Sequence, residues 1–155
     1  MIGISNVKRI PSKKEITLVE ENIGATFNDE YIEFIKHYNG AEVNNGYYII
    51  SEDDSSYVRY FIEIDDIQND ISLMADDEVS QCFFPFAIGS GGTYFLMKKK
   101  GDFCIYYYNS DYMGNEAVSK VAESFNEFIN NIRSDAEIEI EGTYKVKKVI
   151  SKKDS

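Results

Sequence analysis

The hydrophobic period of this sequence changes near Gly46, and that change sets the fold class. Before Gly46, apolar residues recur every three or four positions, as they do on one face of a helix. After it, β-branched and aromatic runs alternate with turn-forming segments, which is typical of strands. Because helices do not alternate regularly with these strands, an antiparallel sheet is favoured over a parallel one. We therefore predict an α+β fold: a single domain with a twisted, mainly antiparallel sheet, two N-terminal helices and a C-terminal helix packed against it.

Two predicted helices precede the strands and a third follows them. The first covers residues 13–23 and the second residues 29–38, and Ser12 and Asn28 stand where N-cap side chains are expected. The third covers residues 116–133, which carry the strongest helical period in the chain. Strands are predicted at residues 47–50, 57–64, 93–98 and 103–108, the last two as a hairpin, with a short helix at 66–74.

Length and composition are those of one globular domain. With 155 residues, 43% of them hydrophobic, the chain can bury a single core, expected over about residues 13–132 of a domain spanning 1–155. Residues 134–150 suggest an extra hairpin, and the tail 151–155 is expected to fray. No apolar run reaches the roughly 18 residues of a membrane span. The opening residues lack the apolar stretch of a secretory signal, so we expect a cytoplasmic protein with no membrane partner.

Charge is distributed very unevenly along the chain. The net charge is −11, but residues 15–97 contain 17 acidic and two basic residues, which gives 2 − 17 = −15 for that segment. Residues 1–14 carry four basic residues and residues 143–155 carry five. Because nucleic-acid binding needs clustered cations to neutralise phosphates, we expect no direct nucleic-acid partner. A strongly negative surface instead favours association with a cationic protein, although such a surface also serves solubility alone.

The acidic residues occur as short clusters at the predicted ends of elements. Loops at such positions can present charge to a partner, and this raises the partner-binding interpretation above that of a merely solvated surface. We therefore predict that partner binding uses Asp53, Asp54, Asp65, Asp66, Asp76, Asp77 and Glu78.

The sequence offers no convincing catalytic or cofactor motif. Residues 89–92 (GSGG) lack the lysine and the following helix of a phosphate-binding loop, so a tight bend or close backbone approach is the better interpretation. His37 is expected at a helix surface, and Cys82 and Cys104 are expected to be reduced thiols acting as small hydrophobes. We predict no enzyme activity, no cofactor and no metal. Magnesium held by the paired acids is a remote alternative.

Four ordered segments resemble the SMI1/KNR4 (SUKH) superfamily. They are EENIGATFNDEYIEFIKHYNG at residues 20–40, FPFAIGSGG at 84–92, CIYY at 104–107 and SFNEFI at 124–129. The order of the four segments is more specific than any one of them, and the resemblance covers roughly residues 13–132.

This resemblance implies a fold and a general function. It implies a single α+β domain that binds proteins without catalysis. Bacterial members of the superfamily are mostly immunity proteins that neutralise a cognate toxin, often a nuclease, and fungal relatives act as interaction hubs. We expect an immunity protein that meets a toxin or another cationic protein. The alternative is a regulatory or scaffolding module for an endogenous partner.

Overall fold

The computed structural model of the protein describes residues 3–134, which form two antiparallel sheets with helices packed against them. The strands are β1 (Gly3–Ser5), β2 (Glu42–Asn44), β3 (Gly46–Ser51), β4 (Asp54–Tyr57), β5 (Tyr60–Phe61), β6 (Phe83–Ile88), β7 (Tyr94–Lys98), β8 (Ile105–Tyr108), β9 (Val118–Ala122) and β10 (Arg133–Ser134). The helices are α1 (Lys13–Ile23), α2 (Asp29–Tyr38), α3 (Ile67–Leu73), α4 (Asp77–Cys82) and α5 (Phe125–Asn130). The α+β prediction is confirmed.

The larger sheet has seven strands in the order β1-β2-β5-β6-β7-β8-β9, and the smaller one has the order β10-β3-β4. Every strand pair in both sheets is antiparallel, as predicted. The hairpin of β7 and β8 is also confirmed, with Leu96 opposite Tyr106.

The main core lies on the inner face of the large sheet, under α1, α2, α5 and the small sheet. Aromatic rings dominate it. Tyr31 on α2 lies 5.4 Å from Phe125 on α5, measured between ring centroids, and Phe86 on β6 lies 5.4 Å from Phe128. These edge-to-face contacts stabilise the fold beyond area burial alone. The two N-terminal helices and the C-terminal helix therefore pack where they were predicted to pack.

A second, smaller cluster covers part of the outer face of the large sheet. Its buried members are Met74, Val79, Leu96, Tyr108 and Ala117. Alternation along β8 explains the split, because Tyr107 points to the main core while its neighbours Tyr106 and Tyr108 belong to the second cluster.

The helix caps follow the local sequence signals. Ser12 and Glu15 form both hydrogen bonds of a capping box, and the Asn28 side chain accepts the N–H of Tyr31 at 2.9 Å. Gly24 ends α1 with φ 71°, a left-handed conformation that glycine adopts without strain. Each N-cap contributes about 1 kcal/mol to helix stability.

The single strand predicted over residues 57–64 is wrong. Strand β4 ends at Tyr57, β5 is two residues long, and Ile64 begins a 3-10 turn that ends at Asp66. The chain crosses between sheets here, since the Val58 N–H donates to Gly46 in the small sheet and the Arg59 N–H to Ile88 in the large one. The β-branched and aromatic run of residues 57–64 therefore gives no sign in the sequence that the chain passes from one sheet to the other within it.

The helix predicted over residues 116–133 is also largely wrong. Val118–Ala122 form strand β9 along β8, and the helix begins only after Ser124, whose side chain accepts the N–H of Glu127. A β-bulge explains the misleading period: Ile105 faces Ala122 while Tyr106 faces Lys120, so β9 has an extra residue at Val121. The bulge gives apolar residues of a strand a helix-like spacing.

The glycine-rich segment forms the predicted tight bend. Gly91 and Gly92 have φ values of 56° and 84°, and a Cβ at Gly89 would lie 2.7 Å from the Ser56 Oγ. The N–H of Ser90 donates to that Oγ, and the Ser90 Oγ accepts the N–H of Tyr57. The bend between β6 and β7 of the large sheet is thus hydrogen-bonded to β4 of the small sheet.

Three other predictions have mixed outcomes. Both cysteines are free thiols, but Cys82 is exposed and does not act as a buried hydrophobe. The short helix predicted at 66–74 is confirmed as α3. The predicted hairpin over 134–150, apart from Ser134, and the tail 151–155 lie outside the described residues.

Candidate functional site

The seven acidic residues predicted to bind a partner lie at three places in the fold. Asp53 and Asp54 lie where β3 turns into β4, Asp65 and Asp66 end the 3-10 turn before α3, and the remaining three begin α4. Six of the seven are exposed, and the exception is Asp76.

Asp76 is a structural residue, so the expectation that it presents charge at the surface is wrong. Only 3% of the surface of Asp76 is exposed. The carboxylate accepts the Val79 N–H at 3.2 Å, which caps α4, and the Gly114 N–H at 2.8 Å, which holds the segment before β9. Both oxygens are thus engaged by backbone donors, as is typical of an N-cap that also anchors a loop.

Asp65 is exposed but already has a cationic neighbour. The Arg9 guanidinium lies 3.3 Å from Asp65 and 2.9 Å from Glu15. The hydrogen bond from Arg9 holds the pKa of Glu15 at about 2, well below its usual range. Part of the charge of this corner is therefore neutralised within the chain.

The other five predicted residues are available to a partner. Within residues 3–134 none of them forms a salt bridge. They are Asp53, Asp54, Asp66, Asp77 and Glu78. We call these five the free acids.

The sequence reasoning missed a row of tyrosines that crosses the outer face of the large sheet. Tyr60, Ile88, Tyr94 and Tyr108 lie directly opposite one another on β5, β6, β7 and β8. Residues opposite one another in a ladder share a face, so the four side chains form one continuous row, the tyrosine row. Glu42 extends the same ladder position onto β2, opposite Tyr60.

Helix α3 places carboxylates beside this row. Burial raises the pKa of the Asp70 carboxyl, and the neighbouring charge of Asp66 raises it further. Burial likewise raises the pKa of the Tyr94 hydroxyl, with a further contribution from Asp70. Like Asp66, Asp70 forms no salt bridge with any residue between 3 and 134. The edge of the tyrosine row therefore carries negative charge that the described part of the chain does not compensate.

A groove of about 390 Å³ between α2 and α5 also has acidic residues at its rim. Two of its three carboxylates have partners, since Glu30 accepts the Asn126 N–H at 2.9 Å and Glu33 lies 3.3 Å from His37. The third, Asp29, forms no salt bridge with residues 3–134. His37 is at the helix surface, as predicted.

The described residues show neither a metal-binding cluster nor a membrane-spanning helix. No group of three or more His, Cys, Asp or Glu residues among them is placed to hold a metal ion. None of the helices between residues 3 and 134 has both the length and the apolar character to cross a bilayer.

The fold is that of an α+β domain with antiparallel sheets. A family model described as the SMI1 / KNR4 family (SUKH-1) matches residues 10–131. Because this match covers most of the chain, the protein belongs to the SMI1/KNR4 family, which confirms the resemblance. Domains of this family are of the immunity-protein type, bind protein partners and are generally non-catalytic. No curated protein matches the chain.

Proposed function

We propose that this protein is a cytoplasmic immunity protein that neutralises a cognate toxin by stoichiometric binding. Membership in the SMI1/KNR4 family supports binding of a protein partner. The observation that carries the proposal is the set of free acids: five exposed carboxylates with no salt bridge to residues 3–134. A partner that covers them gains new ion pairs without breaking old ones.

The chemistry of the free acids indicates a cationic partner. A surface of one sign attracts a partner of the opposite sign and raises the association rate by roughly 10–10³-fold, an effect that salt weakens. A toxin that acts on nucleic acid needs a cationic surface of its own, so a basic nuclease fits this description. Nucleic acid itself carries the wrong charge to bind here.

Co-expression tests this function. Each candidate toxin gene from the neighbourhood of this gene is expressed in a sensitive cell with and without the protein. Rescue of growth supports the proposal, together with a complex of one toxin and one immunity chain in size-exclusion chromatography. Failure to rescue, while the product of another neighbouring gene does rescue, refutes it.

A further inference from the structure

The tyrosine row leaves aromatic surface exposed at its β5 end, whereas its β8 end, Tyr108, is buried in the second cluster. Tyr60 is 41% exposed, and Ile88 and Tyr94 are half-buried. The rings of Tyr94 and Tyr108 lie 6.3 Å apart at 35°, so a buried ring on the neighbouring strand packs against one side of Tyr94. Tyrosine gives a large contact area with few rotatable bonds, which limits the entropy lost on binding. The row is thus preorganised for contact.

The charge beside the row indicates what that contact is made with. Asp66 and Asp70 lie one helical turn apart at the start of α3, a helix that packs on β6, one of the strands of the row. The charge of Asp70 contributes to the raised pKa of the Tyr94 hydroxyl. Asp70 is partly removed from water without a cation among the described residues. A cation bound here would relieve the repulsion between the two carboxylates and could rest on the tyrosine rings.

From this we infer that an arginine-bearing segment of the partner docks across the tyrosine row, with its guanidinium groups against Asp66 and Asp70. Arginine fits better than lysine, because its planar group stacks on an aromatic ring while it donates to a carboxylate. This inference rests on the proposed function and deepens it, since it names the contact surface and the chemistry of the partner. Charge complementarity selects the occupant.

The first experiment maps an octa-arginine peptide onto the isotopically labelled full-length protein by NMR. We expect the largest amide shifts on β5, the start of β7 and the first turn of α3. This measurement needs no substitution, so it tests the surface even if a variant fails to fold. Shifts centred on the groove between α2 and α5 would overturn the inference.

The second experiment compares two variants that lose the same charge. Asp66→Asn/Asp70→Asn should weaken peptide affinity by about tenfold. The matched control, Glu21→Gln/Glu52→Gln, removes two exposed carboxylates, one on α1 and one in the turn between β3 and β4, and should change the affinity by less than about threefold. Equal losses in the two variants would mean that the peptide senses only net charge, and would overturn the inference.

A third comparison isolates the aromatic contribution. Tyr60→Ala should weaken binding by about fivefold because a cation–π contact is lost. Phe103→Ala removes a ring with similar exposure, 51%, from the segment before β8 and should leave the affinity unchanged. An unchanged affinity for Tyr60→Ala would overturn the assignment of the row.

Other occupants give distinct outcomes that overturn the inference. If the peptide binds only after the five lysines of residues 143–155 are replaced by glutamine, the chain's own C-terminal segment occupies the surface. If light scattering shows a dimer of the wild-type protein and Tyr60→Ala makes it monomeric, a second copy of the chain occupies the tyrosine row.

Failure of this inference can be told apart from failure of the proposed function. If wild type rescues cells from the toxin and Asp66→Asn/Asp70→Asn rescues equally at limiting expression, the function stands and the surface is refuted. If wild type gives no rescue but the peptide maps to the tyrosine row, the surface stands and the toxin-neutralising function is refuted.

Discussion

At the scale of single residues, the most unusual group is the Tyr31 hydroxyl. The residue is 1% exposed, its ring packs against Phe27 and Phe125, and its oxygen has no hydrogen-bond partner among the described residues. A buried polar group without a partner costs about 1–3 kcal/mol of stability. The ring is therefore essential to the core, while the hydroxyl opposes folding.

Tyr31→Phe should raise the free energy of unfolding by about 1 kcal/mol, because the ring is kept and the unpaired hydroxyl is removed. Urea denaturation measures the change. Tyr48→Phe is the matched control, since the Tyr48 hydroxyl donates to the Val121 carbonyl at 2.8 Å, and its loss should lower stability by about 1 kcal/mol. A Tyr31→Phe variant less stable than wild type would contradict this account.

The same residue predicts a pH effect. Burial raises the pKa of Tyr31 well above its usual value of 10.0. Above about pH 10 the unfolded chain therefore loses a proton that the folded chain retains, and stability falls as pH rises. In Tyr31→Phe this decline should be shallower by up to about 1.4 kcal/mol per pH unit. Urea unfolding at several alkaline pH values measures the slope, and identical slopes in both proteins would contradict the prediction.

At the scale of elements, Asp76 couples α4 to the segment that leads into β9. One carboxylate caps the helix and accepts the N–H of Gly114, which has a positive φ of 59°. This coupling holds Val79 and Ala117 in the second cluster, against the outer face of the large sheet.

Asp76→Ala should destabilise the protein by about 2 kcal/mol, because two backbone donors lose their acceptor. The matched control is Asp77→Ala, which removes an exposed neighbouring carboxylate and should change stability by less than about 0.5 kcal/mol. Thermal unfolding of both variants measures the difference. Similar melting temperatures for the two would show that Asp76 is not an anchor.

Elements were predictable from the sequence where short-range chemistry determines them. The N-cap at Ser12 and the end of α1 at Ile23 are local features, and both were predicted correctly. Strand β9 was mistaken for helix because its period depends on a bulge opposite Tyr106, a residue on another strand. The crossing at Val58 was missed for the same reason, since its hydrogen-bond partners are distant in sequence.

The candidate site was predictable only in part, because it too depends on contacts between residues that are distant in sequence. Acidic clusters at element ends are visible in the sequence, and six of the seven residues are exposed. The burial of Asp76 depends on Gly114, which is 38 residues away. The tyrosine row depends on the register of four strands, so neither Tyr60 nor Tyr94 carried a signal of its own.

At the scale of the whole molecule, charge is distributed very unevenly along the chain. The segment from 15 to 97 has a net charge of −15 while the chain as a whole has −11. The electrostatic field of such a charge distribution acts before two proteins touch, so it affects the association rate more than the lifetime of a complex.

Reversing Asp53, Asp54, Asp66 and Asp77 together to lysine should slow association with the toxin by about tenfold or more. The dissociation rate should change less, and the circular dichroism spectrum should stay that of wild type because all four side chains are exposed. Biolayer interferometry at several salt concentrations measures both rates. The difference in association rate between variant and wild type should shrink as salt increases, and a salt-independent rate for wild type would contradict electrostatic steering.

The tyrosine row also has an optical consequence. The chain contains twelve tyrosines and no tryptophan, so its intrinsic ultraviolet emission comes from phenol groups alone. A tryptophan-bearing protein seated against Tyr60 and Tyr94 would accept excitation energy from them and dim that emission. Binding of such a protein can therefore be followed without any attached dye, from the chain's own fluorescence.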